Sequence, residues 1–401
     1  MTLLRIAHVS PTLVPAGAGA ACLHYARELA RRGHKPAILT AAVPGAPAFE
    51  ETDGYTVRRL RTLPRVGSAP LLPGLVAALR GYDLVHLHYP AIASAELLRI
   101  VTALRDTPIV VSLHSDLPGG GGVPATLTLL RRLATALQDR EAPLVCAIAP
   151  EHGVASRLRC EPGRVPLLMA ELPNGVDCRA FAPGPPDPAL RSRFGIPATA
   201  PLTLGVVGPE HVRDPQGFEV LLAAFSRLPR EHRLLVIGVG AQPGAGAAAV
   251  ARIDLGDRIV CAGEVDQHAL PAYYRTAQLS AFPARLQGPL ASALVESLAC
   301  ATPVVASGIP GVRALVEQTR GGLIVQPDNA MALAEAIGWL SADEALRRAM
   351  GRVGRRRVLA RYAWEAVGAR LEELYLDALN PQLAGGGSNP PQTARHWRER
   401  R

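Results

Sequence analysis

The chain has 401 residues, too many for one ordinary core and comfortable for two packed domains. With 48% hydrophobic, 19% charged and only 4% aromatic residues it excludes a disordered polymer and argues against a base-stacking nucleic-acid binder, while a net charge of +9 leaves room for an anionic partner. A single lysine, Lys35, among 42 arginines leaves Schiff-base chemistry no lysine outside one turn, and six scattered cysteines without CxxC spacing offer no metal framework.

LLRIAHVS (3–10) is a short buried-type strand, and PTLVPAGAGA follows it as a glycine turn. In ACLHYARELARRGH (21–34), Leu23, Ala26, Leu29 and Ala30 repeat at helical spacing, and Gly33 ends the helix. KPAILTA (35–41) completes a Rossmann-type β–turn–α–β unit whose glycines at 17 and 19 lack the full dinucleotide GxGxxG. The alternation continues with a strand at 82–90, a helix at 93–105 and a strand at 107–116. A glycine-rich loop at 118–124, a helix at 126–140 and strands at 143–150 and 167–177 come next. Alternation within 82–90 puts His86 and His88 on one side of their strand.

PNGVDCRAFAPGPPDPAL (173–190) breaks both helix and sheet and marks a domain boundary. A second series begins at TLGVVG (203–208) and FEVLLAAFSRL (218–228), and runs through strands near 232–240, 258–263, 279–284, 302–308 and 321–327. Helices lie between them at 269–277, 291–300 and 312–317. Helical pattern at 330–340 and about 343–377 closes the fold, and the rest is a basic, polar tail. The expected architecture is α/β: two Rossmann-like domains, 1–180 and 181–377, facing a central cleft. The last helix packs back on the first domain, and 378–401 is a flexible tail. Ligands in such sheets bind beyond the carboxyl ends of the strands.

SPTLVPAGAGAACLHYARELARRGH near the start and LPNGVD in the middle, together with YYRTAQLSAFPARLQGPLASALVESLACATPVVASGIPGVRALV and GGLIVQPDN, resemble the GT-B glycosyltransferases, specifically the retaining family 4 (glycosyltransferase group 1). The resemblance covers roughly residues 3–375. It implies a nucleotide-diphosphate sugar as donor substrate, bound mainly by the C-terminal domain, an acceptor on the N-terminal domain, transfer with retention, and no metal or other cofactor. By position it implies that Glu296 holds the nucleotide ribose hydroxyls. The amides of Ala291 and Ser292 at the start of the same helix would meet the diphosphate, and Gly17 and Gly19 form a turn that lets backbone approach the phosphates. His114 would stand near the transferred sugar, with Asp116 as a further polar contact, and one of His86 and His88 would line the acceptor pocket. The chemistry suits these residue types: a carboxylate accepts from two vicinal hydroxyls, and a helix N-terminus attracts phosphate.

The chain also departs from the family pattern. The family's first E-x7-E glutamate falls on Gly288, or on Gln287 with a one-residue insertion. After the turn glycine Gly208, the family's arginine and lysine are replaced by Pro209 and Gln216, and no other lysine exists to restore the clamp. Arg213, in the same loop, is the nearest replacement, and its guanidinium offers a bidentate fork to phosphate. The reading is therefore an active transferase working on a small-molecule, lipid-linked or cell-envelope acceptor. The alternative is a degenerate GT-B protein that binds a nucleotide sugar or partner enzyme without turnover. The N-terminus is too short and polar for a signal sequence and no apolar run spans a bilayer, so a cytoplasmic location with a possible peripheral membrane contact is expected.

Overall fold

The computed structural model describes residues 3–10, 12–13, 17–66, 69–89, 107–114, 145–149, 167–207, 216–238, 255–283 and 290–379. The chain divides into two compact units, Met1–Asn174 with Trp364–Arg401, and Gly175–Ala363. The first unit contains β1 (Arg5–Val9), α1 (Gly17–Arg31), β2 (Lys35–Ala41), β3 (Phe49–Thr52), β4 (Tyr55–Leu60), β5 (Leu63–Val66), β6 (Ala69–Leu71), α2 (Leu75–Ala78), β7 (Leu84–Tyr89), β8 (Ile109–Leu113), β9 (Val145–Ala149) and β10 (Leu167–Glu171). The second contains α3 (Pro188–Arg193), β11 (Leu202–Val206), α4 (Gln216–Phe225), β12 (Arg233–Ile237), β13 (Ile259–Gly263), α5 (Leu270–Thr276), β14 (Leu279–Phe282) and α6 (Leu290–Ala299). It continues with β15 (Val304–Ser307), α7 (Pro310–Thr319), β16 (Gly322–Val325), α8 (Ala330–Ala342) and α9 (Glu344–Arg361). The chain then returns to the first unit as α10 (Trp364–Leu379).

In the first unit the sheet runs β10-β9-β8-β7-β1-β2-β4-β3, parallel except for β3. Near-continuous apolar strands such as IVVSL and KPAILTA suit a parallel sheet buried on both faces. One face buries Leu4, Ile6, Leu84 and Val110 under Tyr25 and Leu29 of α1 and Leu371, Leu374 and Tyr375 of α10. The other side of α1 packs Cys22 and Ala26 against Ile38, Tyr55 and Val57. Strand order reverses between β1 and β7, since β2 extends the sheet from one and β8 from the other.

The second unit's sheet runs β13-β12-β11-β14-β15-β16 and is parallel throughout. Renumbered within the unit this is 3-2-1-4-5-6, the strand order of a Rossmann sheet. Its core joins Phe218, Leu222 and Phe225 of α4 to Leu234 and Val236 of β12 and to Leu333 and Ile337 of α8. The reversal point lies between β11 and β14, whose following helices are α4 and α6.

Several sequence expectations change. The first helix begins at Gly17, four residues before the expected start at 21, so Gly17 and Gly19 form its opening turn and are not part of a separate loop. The stretch 42–81, for which no element was expected, carries β3–β6 and α2. The helical pattern at 343–377 is two helices, broken at Tyr362 and Ala363, where the Val176 amide donates to the Tyr362 carbonyl at 2.7 Å. The helices expected at 93–105 and 126–140 and the glycine-rich loop 118–124 lie outside the described residues. Among the described residues no helix is long and apolar enough to cross a membrane.

Candidate functional site

Glu296 occupies the middle of α6, directly after β14 at the reversal point of the second sheet. Ala291 and Ser292 lie in the first turn of that helix, Ser292 is exposed, and Glu296 follows it by one turn on the same face. The first-turn amides of any helix lack intrahelical acceptors, which makes this end a site for negative charge. α6 is pinned from below. Ser297 Oγ donates to the Thr302 carbonyl at 3.0 Å and lies 2.8 Å from Ser280 Oγ of β14, while Thr302 Oγ1 donates to the Tyr274 carbonyl at 2.8 Å. Arg355 of α9 bonds the last carbonyl of α6, Ala299 O, and also the Phe181 and Cys178 carbonyls at 2.9 and 3.3 Å.

Glu296 is half-buried in α6, and burial pushes its carboxyl pKa up to about 7 against the pull of a hydrogen bond from Tyr274. A carboxylate held at such a cost is poised to gain from polar hydroxyls brought to it. Tyr274 was missed by sequence reasoning, although the YY pair at 273–274 follows the helical spacing of α5 and both rings are buried. Gln216 is the first residue of α4, opposite in sequence role to the lysine that the family pattern places there. Gly208, Arg213 and Gln287 lie outside the described residues.

Imidazoles gather at the reversal point of the first sheet. On the face covered by α1 and α10 each strand changes from apolar to polar toward its carboxyl end: Leu4 just before β1 and then Ile6 and His8 on it; Leu84, His86, His88 on β7; Val110, Ser112 and then His114 on and after β8. Register sets His8 beside His86 and His88 beside Ser112. His8 Nδ1 is 3.0 Å from His88 Nε2, and His88 Nδ1 is 3.0 Å from His114 Nε2. His86 bridges the Tyr375 hydroxyl at 2.6 Å and Ser112 Oγ at 2.7 Å. Burial keeps these rings neutral, holding His8 down to about 3 and His114 to about 4. His86 and His88 are fully buried, so neither lines an acceptor pocket; both are core residues with hydrogen-bonded nitrogens. His114 is only partly buried and stands at the open end of the chain of rings. Asp116 lies outside the described residues. Thus Gly17, Gly19 and His114 belong to the first unit, and Ala291, Ser292 and Glu296 to the second.

Comparison with known proteins agrees with this architecture. The family description "Glycosyltransferase Family 4" matches residues 15–180, and "Glycosyl transferases group 1" matches residues 201–343. The chain is similar to the D-inositol 3-phosphate glycosyltransferase of Kineococcus radiotolerans, at 29% identity covering 96% of each chain. It is also similar to the GDP-mannose-dependent alpha-(1-6)-phosphatidylinositol monomannoside mannosyltransferase of Mycolicibacterium smegmatis, at 27% identity over 86% of this chain and 90% of that one. Among solved structures, the sucrose-phosphate synthase of Thermosynechococcus elongatus superposes with a TM-score of 0.70 at 26% identity, covering 95% of this chain and all 100% of the other. Anabaena HepE in complex with UDP shares the fold, with a TM-score of 0.71 at 19% identity, covering 93% of this chain and 100% of the other.

Two Rossmann-like units with these sheets define a glycosyltransferase of the GT-B class. Within that class the chain belongs to the group 1/family 4 glycosyltransferases, whose two descriptions it matches in order. The alternative of a binding protein without turnover finds no support in these relatives.

Proposed function

We propose that the enzyme moves a sugar, with retention and without a metal, from a nucleotide-diphosphate sugar to a polyol phosphate or a lipid-linked form of one. The observation that carries this reading is the placement of Glu296. A carboxyl with a raised pKa lies one turn beyond the open amides of a helix at the reversal point of a 3-2-1-4-5-6 sheet. In this reading the ribose hydroxyls donate to Glu296 and the α6 amides at Ala291 and Ser292 receive the diphosphate. Gly17 and Gly19 open α1 toward the phosphates, and His114 contacts the sugar.

The C1–oxygen bond to the β-phosphate breaks with its electron pair leaving on phosphate. An acceptor oxygen then bonds C1 from the same face, and its proton passes to the departing phosphate. Arg213, in the loop after Gly208, supplies the positive charge that Pro209 and Gln216 do not, and Gln287 accepts from a sugar hydroxyl. One such preorganised donor is worth on the order of 3 kcal/mol, about a hundredfold in rate. The acceptor class follows the relatives named for inositol 3-phosphate and for a phosphatidylinositol mannoside. A lipid-linked acceptor would also account for a basic tail such as ARHWRERR meeting anionic lipid on the cytoplasmic side, where nucleotide sugars are used.

Calorimetric titration with UDP, GDP, dTDP and ADP tests the donor site in the wild-type protein, Glu296→Ala and Arg213→Ala. One nucleotide should bind, and both variants should weaken it. Turnover of the matching sugar nucleotide with inositol phosphate, in the presence of EDTA, should then give a product whose anomeric coupling in NMR matches the donor's. Failure of all four nucleotides to bind at millimolar concentration overturns the reading.

A further inference from the structure

The rings of His8, His88 and His114 form a closed accounting problem. Each is neutral, so each carries one N–H and one bare nitrogen, and each link between rings uses one of each. Only two proton orders satisfy both 3.0 Å links. In the first, His8 Nδ1–H donates to His88 Nε2, and His88 Nδ1–H donates to His114 Nε2. His114 then presents Nδ1–H outside the chain. In the second every arrow reverses, and His8 must carry its proton on Nε2.

His8 Nε2 decides between them. It is fully buried and has no hydrogen-bond partner. An orphaned N–H is rarer in folded proteins than an under-used acceptor, because a stranded donor forfeits its whole hydration. The bare-nitrogen order is therefore the stable one. His86 does not interfere: its two nitrogens face hydroxyls, which turn to suit either tautomer. Nitrogens of His8, His86 and His88 also lie within 4.8 Å of one another, a spacing that a transition metal can use. However, Nδ1 of His8 and both nitrogens of His86 and His88 already hold hydrogen bonds, which leaves His8 Nε2 as the one unengaged nitrogen of the three rings, too few to hold an ion.

We propose that His8 and His88 are positioning residues whose proton order fixes His114 as the Nδ1–H tautomer, so that His114 meets its ligand as a hydrogen-bond donor to an oxygen and never as an acceptor. The identity of that oxygen, a hydroxyl oxygen of the transferred sugar, rests on the function proposed above; the proton order does not. The chain begins at β1, crosses β7 and ends just past β8, so it ties the end of the sheet's first strand to the site histidine. A side chain with one fixed N–H gives directional selection that a freely tautomerising imidazole lacks.

Long-range proton–nitrogen correlation of the ligand-free, ¹⁵N-histidine-labelled full chain reads the order directly. All three rings should show protonated Nδ1 and bare Nε2, which is the minority tautomer of free histidine. Protonated Nε2 in His8 and His114, or a mixture in either, overturns the proposal. His8→Leu, checked for folding by its thermal transition, should release His114 into a tautomer mixture and lower kcat about tenfold, with nucleotide affinity unchanged. In His8→Asn the amide can still donate to His88 Nε2, so the His114 tautomer and the rate should return. A His114 signal untouched by His8→Leu also overturns the proposal. If the three tautomers are as stated but His114→Ala transfers sugar normally, the proton order stands and the sugar contact fails.

Discussion

The phenol of Tyr274 donates to Glu296 Oε2 at 3.1 Å, from a ring with no exposed surface. Burial and the adjacent carboxyl hold the phenol well above its ordinary pKa, so it is a fixed donor, and it orients one carboxylate oxygen while leaving Oε1 free of that bond. Tyr274→Phe should therefore weaken nucleotide binding about fivefold to tenfold, the worth of one hydrogen bond of roughly 1–1.5 kcal/mol. Glu296→Ala removes charge-assisted bonds and should cost at least about a hundredfold. Calorimetric titration of both variants checks the ranking, and equal losses would contradict it.

A carboxyl that titrates near 7 makes donor binding pH-dependent in a defined direction. Ribose hydroxyls need a carboxylate to donate to, so affinity should rise about fivefold between pH 6 and 7 and by less than a further twofold up to pH 8, where it levels off. The stability effect has the opposite sign. Between 4.5 and 7 the folded chain holds a proton that the unfolded chain has released, so this group's contribution favours folding in acid and is lost as pH climbs through 7. Nucleotide should raise the Tm more at pH 8 than at pH 6, and Glu296→Gln should flatten that difference.

The β/α order of both units was legible because buried parallel strands read as short apolar runs and helices as period-3.6 stripes. The helix that carries Ala291, Ser292 and Glu296 was legible from the same stripe, while their part in a donor site was suggested only by their match to a family motif. What was missed has identifiable physical causes. β3 and β4 are a surface hairpin with exposed residues along β3, so the hydrophobic run was absent. The TDGY turn was the available signal, with Asp53 at φ 47° and Gly54 at φ 81° as the tight hairpin turn requires. α3 was hidden in a proline-rich segment, yet Asp187 caps it by accepting from the Ala189 amide and Pro188 occupies its first turn. The histidine chain was half visible: alternation put His86 and His88 on one side, but adding His8 requires knowing that β1 and β7 are neighbours.

Glu372 of α10 is buried between Arg32 Nε, at 2.5 Å, and His34 Nε2, at 3.0 Å. His34 accepts the Leu4 amide on Nδ1, so its proton is on Nε2 and points at the carboxylate. Burial would raise the Glu372 pKa, but the bonds from Arg32 and His34 hold it below the ordinary value of 4.5. Its contribution to stability is thus present at neutral pH and is lost as pH falls through that lowered value. Glu372→Gln should cost on the order of 2 kcal/mol at pH 7, because it removes the charge that accepts from a buried imidazole N–H and a half-buried guanidinium. Urea unfolding at pH 7 and at pH 3 should show the gap between wild type and variant narrowing in acid.

Two helical glycines should respond to the same substitution with opposite signs. Gly351 lies buried in α9 where the helix passes over Ala301, a residue held at φ 61° just after α6. A methyl built on Gly351 would overlap the Ala301 carbonyl oxygen, which is backbone and has no rotamer through which to retreat. Since Arg355, one turn further along α9, bonds the end of α6 at Ala299 O, displacing α9 would also loosen the helix that carries Glu296. Gly351→Ala should therefore cost about 2 kcal/mol by overpacking, and should weaken nucleotide binding as well. Gly338, inside α8, meets only Leu228 Cδ2 at 3.6 Å, an ordinary contact. Gly338→Ala should instead stabilise the chain by about 0.5–1 kcal/mol, because alanine loses less backbone entropy in a helix. At roughly 2–4 °C per kcal/mol for a domain of this size, thermal unfolding should move down for one variant and up for the other. Parallel shifts in the same direction would mean that the α6–α9 contact is looser than its geometry indicates.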